Sequence, residues 1–151
     1  MERVLGLDFG GVISLAKTTD DLMPGVEEGI DAVREIFGDR IYIISRVDSA
    51  ESQARVLAYM ENRKLWDRLG ISQDNIRFCL LKSDKGPIAK DLHITDFVDD
   101  HTEVLANMHT VENRYAMRTK PEELELYPAH NMELCQTWEE ISNAILNLRW
   151  R

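Results

Sequence analysis

The chain has 151 residues, 44% of them hydrophobic and 30% charged. That composition excludes disorder and fits one ordinary domain spanning residues 1–151, with no room for a second. The 27 acidic and 18 basic residues give a formal charge of −9; no Lys/Arg cluster interrupts it, which argues against duplex nucleic acid as a partner, since such affinity rests on neutralising phosphates.

A phosphorylated ligand stays compatible with the acidic balance, because one local cationic pocket outweighs distant charge once screening is counted. The first residues, MERVLGLDFGGVI, carry an arginine and then Asp8 inside a short apolar run. They read as neither a secretion signal nor a membrane span, so the expectation is a cytoplasmic protein with no membrane partner. The two cysteines, Cys79 and Cys135, lack metal-ligand spacing and read as small buried hydrophobes.

In chain order, Val4 to Leu7 is a first apolar run and closes on Asp8. Val26, Ile30, Val33 and Phe37 then share one helical face, with Pro24 and Gly38 as start and stop signals. Ile41 to Ile44 is a second strand, closing on Ser45. Ala50 to Leu69 reads as one helix, with Asp48 and Glu51 as a variant capping box and Gly70 as terminator. Ile76 to Leu81 leads into Lys82, and a helix containing Ile88 and Leu92 follows Lys85. Ile94 to Val98 closes on Asp99 and Asp100, and Arg114 to Arg118 is a weaker fifth strand. Thr137 and Glu140 form a capping box ahead of the stripe Ile141, Ile145 and Leu148.

Strands alternating with helices predict an α/β fold, a three-layer doubly wound parallel sheet of Rossmann-like type. In such sheets ligands sit outside the carboxyl ends of the strands, where the winding direction reverses. With strand order 3-2-1-4-5, the polar ends Asp8, Ser45, Asp99 and Asp100 come side by side. Three carboxylates gathered there repel one another and raise one another's pKa unless a cation is present. A hard divalent ion such as Mg²⁺ removes that cost by taking oxygen ligands. What remains is an aspartate placed to attack phosphorus, and a lysine at the same edge would stabilise the transferring phosphoryl group.

Together these residues resemble the haloacid dehalogenase-like (HAD) superfamily. Val-Leu-Gly-Leu-Asp8-Phe-Gly10-Gly11-Val12-Ile13 is similar to its first motif, Ile-Tyr-Ile-Ile-Ser45 to its second, the segment around Lys85 to its third, and Asp-Phe-Val-Asp99-Asp100 to its fourth. The four occur in the family's order over residues 1 to about 105, and Thr137 to Leu148 resembles the usual closing helix. The Gly-Gly-Val first motif is most similar to small bacterial members. The resemblance implies a phosphohydrolase working through an aspartyl-phosphate. Asp8 would be nucleophile and metal ligand, and Gly10 would lend its carbonyl to Mg²⁺. Ser45 and Lys85 would hold phosphoryl oxygens, and Asp99 and Asp100 would complete the metal site. Lys85 is preferred to Lys82 because it directly precedes the helix.

Two positions depart from the family pattern. Gly10 stands where its phosphatases carry a second aspartate, the general acid/base, whose help is typically worth ~10² to 10⁴ in rate. Asp20, Asp21 and His101 are alternative proton sources. Val104 stands where an asparagine or aspartate is usual, with Glu103 adjacent. His93 and His109 lack ligand spacing, and Trp66, Trp138 and Trp150 sit on helical patterns that suit a core.

Gly11 and Pro24 are only 13 positions apart, and Leu81 is closer still to Lys85, so neither gap holds a cap domain. An open site suits a phosphorylated macromolecule, or a phosphorylated small molecule enclosed by a homodimer. The competing reading is a catalytically impaired protein of the same fold that binds a phosphate or a partner without turnover. A sugar-kinase-like or actin-like ATPase needs two lobes and a longer chain, and a receiver domain places its paired acids after the first strand, not the fourth.

Overall fold

The computed structural model describes residues 2–16 and 21–148. Six parallel strands form one sheet: β1 (Leu5–Leu7), β2 (Ile41–Arg46), β3 (Ile76–Cys79), β4 (Asp96–Asp99), β5 (Asn113–Met117) and β6 (Met132–Cys135). Their order is β3-β2-β1-β4-β5-β6. The expected order thus holds for five strands, and β6 extends it on the β5 edge. β1 lies between β2 and β4, with Leu7 opposite both Ile43 and Val98.

Alternation along each strand divides the apolar side chains between two layers. Leu5, Leu7, Ile41, Ile43, Val98 and Tyr115 face α1 (Val26–Phe37), α2 (Ala50–Asn62), α3 (Leu65–Leu69) and α7 (Trp138–Asn147). Ile44, Phe97 and Ala116 face α4 (Lys85–Asp91) and α5 (Thr102–Ala106). Helices on both faces explain why the strands read as continuous apolar runs. A further short helix, α6 (Pro121–Leu126), joins β5 to β6 and buries none of its residues. No described helix is long and apolar enough to cross a membrane.

Several elements differ from the sequence reading. The helix expected over Ala50 to Leu69 is two helices, because Lys64 takes a left-handed conformation (φ 55°) between them. Its cap is not Asp48 with Glu51: Ser49 Oγ accepts from the Ser52 N–H, and Ser52 Oγ accepts from the Ser49 N–H. β3 ends at Cys79, leaving Leu80 and Leu81 exposed. Thr137 caps α7 as expected, but Glu140 reaches back to the Gln136 N–H. Cys135 is buried whereas Cys79 is only half-buried. Trp66 and Trp138 are core residues, His93 and His109 are exposed, and Trp150 lies outside the described residues.

α7 also fixes the loop that follows β1. Trp138 is fully buried, packs where α1 has Gly29, and donates from Nε1 to the Val12 carbonyl at 2.8 Å. A Cβ at Gly29 would stand 2.6 Å from the indole ring, so the approach requires glycine. Phe9 accepts from the N–H groups of Ile13 and Ser14, and Ser14 bridges to both Gly10 and Leu22. This compact loop carries the chain away from Asp8, and among the described residues no cap domain is inserted here.

Candidate active site

Asp8 follows β1, Asp99 ends β4, and Asp100 comes next, all at the carboxyl edge of the sheet. One ligand oxygen from each lies within 4.8 Å of the others. Lys85, at the start of α4, sends Nζ between two of them, donating to Asp8 Oδ1 at 2.8 Å and to Asp99 Oδ2 at 3.0 Å. All three of these side chains are buried. The lysine chosen from sequence is therefore in the cluster. Lys82 instead pairs with Glu103 across 3.3 Å while lining the same cavity.

Local bonds account for the placement. Asp8 N–H donates to the Val98 carbonyl, which locks the end of β1 to β4. Asp99 Oδ1 accepts from the His101 N–H at 3.0 Å, so this carboxylate is held by backbone on one side and Lys85 on the other. Gly11 sits at φ +85°, and a Cβ there would stand 2.4 Å from Asp100 Oδ2. Only glycine accepts that conformation cheaply and lets the carboxylate approach the loop. Gly10 and Gly11 both line the cavity beside Asp8.

Burial and like charge dominate the electrostatics. Burial first, then the charge of Asp8, raises the Asp99 pKa despite Lys85. Asp100 is pushed up to about 9 by burial and then by Asp8 and Asp99. Burial alone would lower the Lys85 ammonium, but Asp8 and Asp99 more than offset it, so the lysine is held strongly protonated. Three carboxylates thus face one ammonium, and the buried Oδ1 of Asp100 has no hydrogen-bond partner. A set of hard oxygens with surplus negative charge, one of them buried and accepting no hydrogen bond, fits a divalent cation of the Mg²⁺ type.

The cavity beside the cluster holds about 310 Å³. Besides Lys82 and Lys85, its walls include Arg46, Arg118 and Lys120. These last three were not legible as site residues, because none of them belongs to a motif or closes a predicted strand in the way that the acidic residues do. Thr119, between two of them, is buried and donates from Oγ1 to the Asp100 carbonyl. Glu123 of α6 was missed as well. It contacts His101 Nδ1 at 2.6 Å and accepts from the Glu103 N–H at the start of α5.

Ser45 ends up one strand along from Asp8, buried in β2. It lines an adjoining cavity of about 660 Å³ with Ser14, Tyr59 and Arg46, and Arg46 borders both spaces. Of the alternative proton sources, His101 lines the Asp8 cavity, Asp21 is exposed and does not, and Asp20 lies outside the described residues. Both His101 nitrogens face carboxylates, Glu123 at 2.6 Å and Asp100 at 3.8 Å. Val104 is buried on the cavity wall, and Glu103 is occupied by Lys82.

No family model matches the sequence, and no curated protein matches it significantly. Solved structures do. A haloacid dehalogenase-like hydrolase from Burkholderia xenovorans superposes with a TM-score of 0.59 at 16% identity, over 80% of this chain. The present chain spans 58% of that protein's length. The D,D-heptose 1,7-bisphosphate phosphatase from Burkholderia thailandensis superposes with a TM-score of 0.68 at 16% identity, covering 96% of this chain and 99% of its own. These likenesses define the architecture: the chain has the haloacid dehalogenase-like fold.

Proposed function

We propose that this protein is a divalent-cation-dependent phosphohydrolase of the HAD type in which Asp8 is the nucleophile. The observation that carries the reading is the buried cluster in which Lys85 bridges Asp8 and Asp99 beside the Asp100 carboxylate. Asp8, Asp99, Asp100 and the Gly10 carbonyl would hold the ion. When bound, it supplies charge neutralisation for the phosphoryl oxygens.

The chain's own groups do the rest. An Asp8 oxygen attacks phosphorus, a new O–P bond forms, and the ester O–P bond breaks with its electron pair leaving on the ester oxygen. Water then attacks the same phosphorus, which releases inorganic phosphate and restores the Asp8 carboxylate. Lys85, held protonated, orients Asp8 and offers its charge to the transferring group, while Ser45 offers a hydroxyl from the neighbouring strand. Gly10 contributes no carboxylate, and His101 is engaged by Glu123 and Asp100. Neither step therefore has a dedicated proton carrier, and aryl or acyl phosphates, whose leaving groups need little protonation, are the best substrates. The natural substrate is a phosphorylated small molecule or macromolecule in the cytoplasm, and a homodimer would enclose the uncapped cavity.

Gly10 also favours a second reading, a phosphate- or partner-binding module without turnover. Hydrolysis of p-nitrophenyl phosphate with and without Mg²⁺ separates the two. The phosphohydrolase reading expects Mg²⁺-dependent release of p-nitrophenol that falls to background in Asp8→Asn. Activity indifferent to that substitution removes Asp8 as nucleophile, and Mg²⁺ binding without any turnover establishes the binding module.

A further inference from the structure

The turn that leads from Asp100 into α5 is held by a distant part of the chain. Asp100 lies just beyond β4, and α5 has only five residues, too few to fix its own first turn. His101, at the N-cap position, makes no capping bond with its side chain. Glu123 of α6 supplies the missing partner. Its Oε1 contacts His101 Nδ1 at 2.6 Å, and its Oε2 accepts from Thr102 Oγ1 at 3.5 Å and from the Glu103 N–H at 3.4 Å. A carboxylate only accepts, so the imidazole donates from Nδ1. Three consecutive residues after the acidic pair thus converge on one side chain. At the start of the same turn, buried Thr119 donates from Oγ1 to the Asp100 carbonyl at 2.9 Å.

Core packing does not account for Glu123, since α6 buries none of its residues. Charge does not either: only the His101 ring separates Glu123 from Asp100, and like charge at that corner is unfavourable in itself. What the contacts provide is a fixed place for Asp100. Thr119 holds its carbonyl, Glu123 holds the three residues that follow it, and its carboxylate packs against Gly11.

We propose that Thr119 and Glu123 are positioning residues for the cation site of the reading above, on which this inference rests, and that by fixing Asp100 they make the cluster prefer Mg²⁺ to the larger Ca²⁺. Mg²⁺ demands near-ideal octahedral geometry at short oxygen distances, whereas Ca²⁺ accepts more ligands in looser arrangements. A carboxylate free to shift therefore costs Mg²⁺ binding more than it costs Ca²⁺ binding. Removing a group that orients a metal ligand typically weakens affinity about 10- to 100-fold.

Calorimetric titration of the full chain with Mg²⁺, and separately with Ca²⁺, tests this without turnover. Wild type is expected to bind Mg²⁺ the more tightly. Glu123→Ala and Thr119→Val should each weaken Mg²⁺ binding by about tenfold or more and Ca²⁺ binding less, which narrows the preference. Thr119→Ser keeps the hydroxyl and should restore the wild-type values. Thermal melting in EDTA verifies that each variant is folded, and if Glu123→Ala is not, the Thr119→Val and Thr119→Ser pair decides. Unchanged Mg²⁺ affinity, equal losses for the two ions, or a wild type without the preference overturns the positioning role and leaves the divalent-cation reading intact. A wild type that binds neither ion removes that reading and this inference together.

Discussion

Asp100 and Gly11 show how closely the site depends on single atoms. The Asp100 carboxylate lies where a Gly11 side chain would be, and the Gly11 backbone is at φ +85°. Gly11→Ala is therefore expected to destabilise the fold by about 1–3 kcal/mol through backbone strain alone. It should also lower Mg²⁺-dependent hydrolysis at least tenfold by displacing Asp100. Chemical denaturation and p-nitrophenyl phosphate turnover measure the two effects; unchanged turnover would show that Asp100 needs no fixed position. At this scale the sequence was informative where chemistry is carried by strand ends. Asp8, Asp99 and Asp100 were legible because carboxylates closing apolar strands gain nothing from packing. Lys85 was legible only through its place before a helix. Arg118, Lys120 and Glu123 were not, because they reach the cavity or its wall only through contacts between separate loops, such as Thr119 with Asp100.

The elements were legible in proportion to how strongly they are buried. α1 and α7 carry clear apolar stripes with caps or stops, and their observed bounds match the reading. The three elements that escaped it are short or exposed. β6 leaves Glu133 and Leu134 outward, α6 buries nothing, and α5 has five residues, too few for a periodic signal. Pro121 followed by Glu122 and Glu123 was the available sign of α6. The break at Lys64 had no such sign, since a lysine in the left-handed region is set by tertiary packing. Element packing also reaches the site. Trp138 Nε1 holds the Val12 carbonyl, and Val12 belongs to the loop that leaves Asp8. Trp138→Phe leaves that carbonyl unpaired, at a cost of about 1–3 kcal/mol in unfolding free energy. A shift of the denaturation midpoint measures it, and a stability equal to wild type would mean that the loop is held without α7.

Across the whole molecule, the sheet order brings three acidic groups from two strands to one buried corner. Lys85 neutralises only part of that charge, so the native state should gain stability from any cation that the unfolded chain cannot bind. At a hundredfold excess over Kd the gain is about 2.7 kcal/mol. For a chain of this size that corresponds to a rise of roughly 5 to 10 °C in Tm. Differential scanning calorimetry with Mg²⁺ and then EDTA is expected to show a reversible rise, absent in Asp100→Asn. A melting temperature indifferent to divalent ions would contradict the cation site. The net charge of −9 gave no hint of the cationic cavity wall, because charge summed over a chain carries no information about which side chains converge.

The central claim is that Asp8 takes the phosphoryl group, and the absence of a carboxylate at Gly10 makes that step observable. An aryl phosphate needs little help to phosphorylate Asp8, whereas the water that must release the phosphoryl group has no dedicated base. Rapid mixing of the Mg²⁺-loaded protein with p-nitrophenyl phosphate, quenched in acid and mapped by peptide mass spectrometry, is the most direct test. The account expects a burst of p-nitrophenol close to one per active chain and a phosphoryl group on Asp8, with the burst diminished in Gly10→Asp. Turnover without a phosphoryl group on Asp8, or with the group on another residue, would contradict it.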